Sequence, residues 1–395
     1  MIELPEAWAL VAGAARPLPV ERVALARAHG RIVAEDACSA VDLPPFDRSA
    51  MDGYAVRAAD TAAGALRVAG EVAAGATASV TLEPGTAVGI ATGAPLPPGA
   101  DAILQSELAT VADGHVRAAE PVPPGRHVRY RGEDVQAGDV LAPAGTALTL
   151  PRVSSLAAAG VGEVAVHRRA RLHVVVTGSE LLPLGAPPEP GKIHESNGLL
   201  VRLLAERAGA ATTEHGVVAD DAAATRAAVE AGLGGDVLVV CGGVSVGPHD
   251  HVRPAFAACG VEEVFWRVRL KPGKPLWFGR RGDTLAFGLP GNPLSSIVGF
   301  LAFIDPALRR MHGEPGAAMR TVRARLAAPA GPSDGRTTFL SSRLVPGPDG
   351  VLEATPTEAQ GSHLTGALGS SDGFVVAPYD AGELPAGAMV DAVLL

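Results

Sequence analysis

Asp236-Val237-Leu238-Val239-Val240-Cys241-Gly242-Gly243-Val244-Ser245-Val246-Gly247-Pro248-His249-Asp250 is a short apolar run that breaks into a glycine-rich turn. Consecutive aliphatic residues, mostly β-branched, predict a strand buried on both faces, as in a parallel sheet. The glycines let the backbone turn sharply and bring its N–H groups to the surface. A loop of this kind at the carboxyl end of a buried strand can cradle an anion, and Asp250 sets a carboxylate beyond it. Alone, the pattern equally suits a strand-to-helix turn without a ligand, because glycine motifs recur by chance.

The flanking sequence repeats the pattern. Leu172–Val176 reads as a strand ending in Thr177-Gly178-Ser179-Glu180, and Thr284–Phe287 as another ending in Gly288-Leu289-Pro290-Gly291-Asn292-Pro293. Helical periodicity marks Leu199–Arg207, Ala222–Ala231 and Leu294–Ile304. Strands alternating with helices predict a mostly parallel sheet wrapped by helices, with ligands at the carboxyl ends of the strands. That region is expected to span 169–318.

On either side the text changes. Residues 46–142 are short Val/Ala/Ile runs cut by Gly and Pro (Leu66–Ala69, Ala87–Ala91, Ala102–Gln105, Val128–Arg131), which predicts an inserted β-rich domain. Helical text at Glu6–Ala15, Arg22–His29 and Pro151–Ala159 predicts an α-containing scaffold made discontinuously of 1–45 and 143–168. Short strands at Thr321–Leu326, Thr337–Leu344, Gly373–Ala377 and Met389–Leu395 predict a C-terminal β-barrel-like domain over 319–395. The expected fold class is therefore α/β multidomain.

Bulk properties exclude several functions. The chain has 395 residues, 47% hydrophobic and 19% charged, with a net charge of -9. An acidic balance argues against a nucleic-acid binder, which shows a basic face. The three cysteines, Cys38, Cys241 and Cys259, make no CxxC pair and read as reduced residues of a cytosolic protein. No apolar run approaches the ~18 residues that span a bilayer, and the opening Met1-Ile2-Glu3-Leu4-Pro5-Glu6 lacks a signal's basic region. A soluble, cytoplasmic protein is expected.

Six acidic residues sit in turns: Asp47, Asp52, Asp134, Glu180, Asp220 and Asp250. Each alone suits a cap or turn; several together suit a hard cation such as Mg²⁺, which takes oxygen ligands and bridges to phosphates. The opposite charge appears in Lys271-Pro272-Gly273-Lys274-Pro275, between apparent strands Val264–Arg269 and Leu276–Phe278. It reads either as a solvated hairpin tip or as a stiffened turn holding a multiply charged anion. Pro290–Pro293 with Ser295 and Ser296 offers free N–H groups at a helix start. These features point to an oxyanion pocket beside a carboxylate cluster. His249 and His251 around Asp250 are weak evidence for zinc.

The motifs together resemble the MoeA-type molybdopterin molybdenumtransferases, related to the E domain of gephyrin. The matching text is Pro45-Phe46-Asp47-Arg48-Ser49-Ala50-Met51-Asp52-Gly53-Tyr54-Ala55-Val56, Thr92-Gly93-Ala94-Pro95, Arg131-Gly132-Glu133-Asp134 and Thr177-Gly178-Ser179-Glu180. It continues through Gly242–Gly247, Lys271–Pro275 and Gly288–Pro293, in family order over nearly the whole chain. The resemblance implies that adenylylated molybdopterin and molybdate react in the presence of Mg²⁺, AMP leaves, and molybdenum enters the dithiolene. It implies a homodimer with its active site between subunits. No adenylyltransferase segment is readable, so the substrate is expected from a separate molybdopterin adenylyltransferase; no nucleic acid or membrane partner is expected.

Residue by residue, the resemblance puts catalytic roles on Asp52, Asp134, Glu180, Asp220, Asp250, Pro290 and Pro293. Metal ligation falls on Asp52, Asp220 and Asp250, although Asp220-Asp221 allows a shift of one. Substrate binding falls on Thr92, Gly178, Ser179, Gly242, Gly243, Ser245 and Asn292, and molybdate handling on Lys271, Lys274, Ser295, Arg336 and Ser362, with Arg343 competing with Arg336. Cys241 departs from the family's Thr or Ser, and Ser370-Ser371-Asp372-Gly373 from its Ala-Asn-Gly-like text. An adenylyltransferase acting one step earlier and a non-catalytic scaffold are the rival readings.

Overall fold

A computed structural model describes all residues except Ala78, Ser79, Val246, Pro248 and His249. Val246 of the glycine-rich run and His249, weighed for zinc, thus lie outside the described residues. The chain divides into two compact units. One comprises Met1–Glu21, Gly30–Ala34 and Val166–Leu395, and the other Arg22–His29 and Glu35–Ala165.

In the first unit the alternation of strands and helices builds one six-stranded sheet. Its elements are β1 (Arg171–Thr177), α1 (Asn197–Arg207), β2 (Ala211–Val218), α2 (Ala222–Gly232), β3 (Val237–Cys241) and α3 (Val252–Ala258). They continue with β4 (Glu262–Trp266), β5 (Trp277–Arg281), β6 (Thr284–Leu289) and α4 (Pro293–Gly299). The strand order is β2-β1-β3-β6-β5-β4. The first four strands are mutually parallel, and only β5 runs against them: it pairs antiparallel with β6 on one side and with β4 on the other. The sheet is therefore mostly parallel.

Every residue of β3 is buried, as the unbroken apolar run requires. Burying each such aliphatic side chain contributes roughly 1.5–3 kcal/mol. At the amino end of the strand, Asp236 accepts from Arg168 Nη1 and Nη2 at 2.6 and 2.8 Å and from the Arg171 N–H at 2.8 Å. Burial would raise this carboxyl, but the arginine hydrogen bonds outweigh it and hold it far below the usual carboxylate range. Asp236 pins the strand; the chemistry lies at its other end.

The C-terminal region forms a closed five-stranded barrel. Thr337–Pro346, Leu352–Pro356, Val322–Leu326, Met389–Leu394 and Gly373–Ala377 pair in that order, and the last strand closes on the first. Closure removes sheet edges that would otherwise pair with other chains. Leu270–Lys271 joins this barrel as a short outer strand, parallel to Thr337–Thr338. The Lys271–Pro275 stretch is thus not a simple hairpin tip: β4 and β5 pair with each other, but the segment between them leaves to join the barrel.

The second unit contains a six-stranded sheet ordered Ala102–Gln105, Gly53–Val56, Thr86–Ile90, Leu66–Val72, His115–Ala118 and Ala109–Ala112. Gly53 lies so close to the Leu104 strand that an added Cβ would stand 2.0 Å from its carbonyl oxygen. The glycine of Met51-Asp52-Gly53-Tyr54 is therefore required for strand pairing.

Local expectations fail at two places. Arg22–His29 is not a helix: Val20–Ala24 is extended and Leu25–Arg27 makes one 3₁₀ turn. The β-branched Val20 and Val23 favour the extended form. The helix expected over Leu294–Ile304 begins as α4, passes through a wide π turn at Phe300–Ile304, and resumes at Asp305–Met311.

Candidate active site

With β2 and β3 on opposite sides of β1, the chain reverses direction beside β1 and opens a crevice at the carboxyl ends of the parallel strands. Four loops meet that edge, after β1, β2, β3 and β6. Two are tied reciprocally: the Ser179 N–H donates to Asp220 Oδ2 at 2.9 Å, and the Asp220 N–H donates to Ser179 Oγ at 2.8 Å. Of the neighbouring aspartates, Asp221 caps α2, its Oδ1 accepting from Ala223 and Ala224 N–H at 3.0 and 2.8 Å. Asp220 faces the Ser179 loop instead. The Lys192 ammonium donates to the Ser179 carbonyl at 2.5 Å, and the Ile193 N–H to the Glu180 carbonyl at 2.9 Å. The exposed Glu180 carboxylate has no hydrogen-bond partner among the described residues.

After β3, Gly242 has a φ of 94°, and a Cβ there would stand 2.6 Å from the Thr177 carbonyl. Only glycine fits that turn. It lets the Gly242 N–H reach the Leu289 carbonyl at 2.9 Å, tying the loops after β3 and β6. Gly243 accepts from the Val252 N–H at 3.3 Å. Further on, Asp250 Oδ2 accepts from the Gly247 N–H at 2.5 Å, while Ser245 is exposed.

In the loop after β6, every carbonyl from Leu289 to Asn292 is occupied. Pro290 O accepts from Ser296 Oγ at 2.9 Å, Gly291 O from Asn197 Nδ2 at 2.7 Å, and Asn292 O from the Ser295 and Ser296 N–H groups. Pro290 and Pro293 have no N–H. The Gly291 and Asn292 N–H groups therefore remain as donors without partners among the described residues, and both residues are exposed. Amide N–H groups left over in this way suit an oxyanion.

The cationic loop lies against this one: a Cβ at Gly273 would be 3.8 Å from the Ser295 carbonyl. Lys271 Nζ stands 3.3 Å from Asp334 Oδ2, and Arg336 Nε 3.1 Å from Asp334 Oδ1. The Arg336 hydrogen bond, then Lys271, hold the Asp334 carboxyl down at about 2. Asn292 Nδ2 meets Ser362 Oγ at 3.0 Å. Barrel residues Arg336 and Ser362 are thus joined to the loops of the α/β sheet. Arg343, the competing arginine, instead sits in a barrel strand opposite Thr355. Lys274 has no side-chain partner among the described residues.

In the second unit, Asp52 Oδ1 accepts from the Thr92 N–H at 2.7 Å and from Thr92 Oγ1 at 3.0 Å. Those two bonds, the backbone one first, hold its carboxyl below the ordinary value. Asp134 donates its N–H to the Leu43 carbonyl at 3.0 Å and leaves an exposed carboxylate. Asp47 has a turn role, accepting from the Arg131 N–H at 2.7 Å.

Among the described residues no three acidic, His or Cys side chains gather into a complete metal cage. Asp52, Asp220 and Asp250 nevertheless share one feature. Each has one carboxylate oxygen fixed by a loop donor, and the other has no hydrogen-bond partner among the described residues. Taken one at a time, an oriented carboxylate oxygen of this kind suits a hard cation such as Mg²⁺, which takes oxygen ligands. Sequence reasoning missed Asp334, Lys192 and Asn197. Lys192 falls in the irregular stretch after Glu180 and Asn197 opens the helix that follows it, where only nearness to Glu180 pointed to the site.

Three family descriptions cover the chain: MoeA N-terminal region (domain I and II) over residues 2–160, probable molybdopterin binding domain over 173–310, and MoeA C-terminal region (domain IV) over 323–395. A molybdopterin molybdenumtransferase of Haemophilus influenzae is 34% identical over 384 residues, covering 95% of this chain and 93% of its own. Molybdopterin molybdenumtransferase 2 of Mycobacterium tuberculosis is 37% identical over 389 residues, covering 95% and 94%. The crystal structure of a molybdopterin biosynthesis MoeA protein from Pyrococcus horikosii superposes with a TM-score of 0.86 at 32% identity, covering 100% of this chain and 99% of that one.

Proposed function

This chain belongs to the MoeA family of molybdopterin molybdenumtransferases, and from that membership we propose how its loops divide the work. It is a transferase of molybdenum cofactor biosynthesis, inserting molybdenum from molybdate into adenylylated molybdopterin with release of AMP. The observation that carries the division of work is the convergence, at one sheet edge, of the Ser179–Asp220 tie, the proline loop with its outward N–H groups, and the Lys271 loop.

Molybdate, a tetrahedral dianion, is held by the Gly291 and Asn292 N–H groups with Lys271, Lys274 and Ser295, while Arg336 and Ser362 support them from the barrel. Charge-assisted contacts of this sort are the strong ones. Glu180 and Asp134 orient the pterin by accepting hydrogen bonds from its amide-like edge. The backbone of Gly178, Gly242 and Gly243, with Ser179, Ser245 and Thr92, shapes the phosphate path. Pro290 and Pro293 stiffen the loop that presents the oxyanion.

Asp52, Asp220 and Asp250 would hold Mg²⁺, which would supply positive charge to neutralise the phosphates. The protein acts as a cytoplasmic homodimer and receives its substrate from a molybdopterin adenylyltransferase. Its domains divide at 1–45 with 143–168, 46–142, 169–318 and 319–395. The test incubates purified protein with adenylylated molybdopterin, Mg²⁺ and molybdate or tungstate and follows AMP. AMP release that depends on oxyanion supports the reading; ATP-dependent formation of adenylylated molybdopterin would move the chain one step earlier.

A further inference from the structure

Asn197, the first residue of α1, is 9% exposed and belongs to none of the loops assigned above. Its Nδ2 donates to the Gly291 carbonyl at 2.7 Å, while its Oδ1 is buried without a donor among the described residues. The carbonyl fixes which end of the amide is which, because the opposite orientation would bring two oxygens together. Leaving a buried acceptor unpaired is unfavourable. The amide is thus anchored through its Nδ2 end alone.

That end acts on the loop. Pro290 O and Asn292 O are taken by Ser296 and by α4's own N–H groups, whereas among the described residues Gly291 O is taken only by Asn197. Drawing the Gly291 carbonyl inward turns the trans peptide it belongs to, so the Asn292 N–H on the opposite side of that peptide faces outward; the Gly291 N–H is set in the same way by the Pro290 carbonyl that Ser296 Oγ holds. The packing reinforces this: a Cβ at Gly291 would lie 3.9 Å from Gly242 Cα. The loop after β6 is thereby clamped between α1 and the loop after β3.

We propose that Asn197 is a positioning residue for the oxyanion, setting the direction of the Asn292 N–H through the Gly291 carbonyl. The inference rests on the molybdate-binding role assigned to that loop. Asn197→Ala should weaken molybdate binding and raise the molybdate KM roughly tenfold, the effect of one lost hydrogen bond in a charged site. The kcat and the KM for adenylylated molybdopterin should stay within about twofold, since the altered contact concerns only one substrate. Asn197→Asp keeps the shape but sets an anionic oxygen against the carbonyl, so its loss should be larger. Asn197→Ser, which retains a donor, should recover part of the binding.

Calorimetric titration of molybdate into the protein without the pterin substrate reads the inference independently of turnover. Wild-type molybdate affinity in folded Asn197→Ala overturns it. So does an equal loss of affinity for both substrates, or failure of all three variants to fold, because each marks a merely structural amide. A wild-type protein that binds molybdate yet releases no AMP would instead sink the assigned reaction while leaving the positioning role standing.

Discussion

Asp52 in the second unit and Asp220 in the first are held by similar partners wired differently. Each meets the backbone N–H and hydroxyl of one loop residue, Thr92 or Ser179. At Asp52 both donors converge on one carboxylate oxygen and hold the carboxyl below its ordinary value. At Asp220 only the N–H reaches the carboxylate, and the hydroxyl turns back to accept from Asp220's own N–H. The first hydroxyl therefore tunes a charge, and the second locks two loops together. Similar residue types in similar pairs do different jobs because of one hydrogen's direction.

The largest test removes the charges themselves. Asp52→Asn and Asp220→Asn should each keep the fold and lower AMP release by on the order of 100-fold or more, since metal-phosphate stabilisation is worth several kcal/mol. Wild-type turnover in either variant would break the parallel between the two regions. Lys271→Ala comes next: it should raise the molybdate KM by roughly tenfold with a smaller change in kcat, as a lost charged contact to a bound substrate predicts.

The hydroxyl variants separate the two wirings. Thr92→Val removes one donor from Asp52 and keeps the backbone one, so the Asp52 carboxyl should rise partway towards its ordinary value. The acid limb of kcat/KM should then move to higher pH. Ser179→Ala should leave that limb in place and raise substrate KM by only a few-fold, the cost of one neutral hydrogen bond. Matching pH shifts in the two variants would erase the distinction.

The smallest effect concerns Asp334. Its folded carboxyl is held at about 2, below the unfolded value of 3.8, so its contribution to stability is present above about pH 4 and lost as pH falls towards 2. Asp334→Asn should flatten acid unfolding in that window. The group is half exposed, so solvent screening keeps the difference small. Identical acid unfolding curves would show that the Lys271–Asp334–Arg336 cluster has no energetic weight.

Much of this was legible in the sequence. The run Val237–Val240 falls within β3, and the turns containing Gly178, Gly242 and Gly291 do meet at one edge, because local apolar patterning and glycine chemistry govern both. The pairing of Asp334 with Lys271, 63 residues away, left no such trace, since ion pairs formed by tertiary folding impose no local period. The departure of Leu270–Lys271 to the barrel was hidden for the same reason: strand partners are chosen by long-range packing. Arg22–His29 misled because its Arg, Ala and Leu residues suit a helix, while the β-branched Val20 and Val23 pull its start into the extended form. Asn197 drew no attention because it lies just ahead of the helical text at Leu199–Arg207.

The two-rung attachment of Leu270 and Lys271 to the barrel carries one consequence for how this segment can change. Successive side chains on a strand point to opposite faces, and here Leu270 is fully buried while Lys271 is exposed. Sliding the pairing by a single residue would drive the ammonium inward and turn the leucine out. The joint is therefore specified by parity: a slip of one residue in its register is forbidden by burial, whatever the length of the irregular link, with its left-handed Arg267, that leads into it.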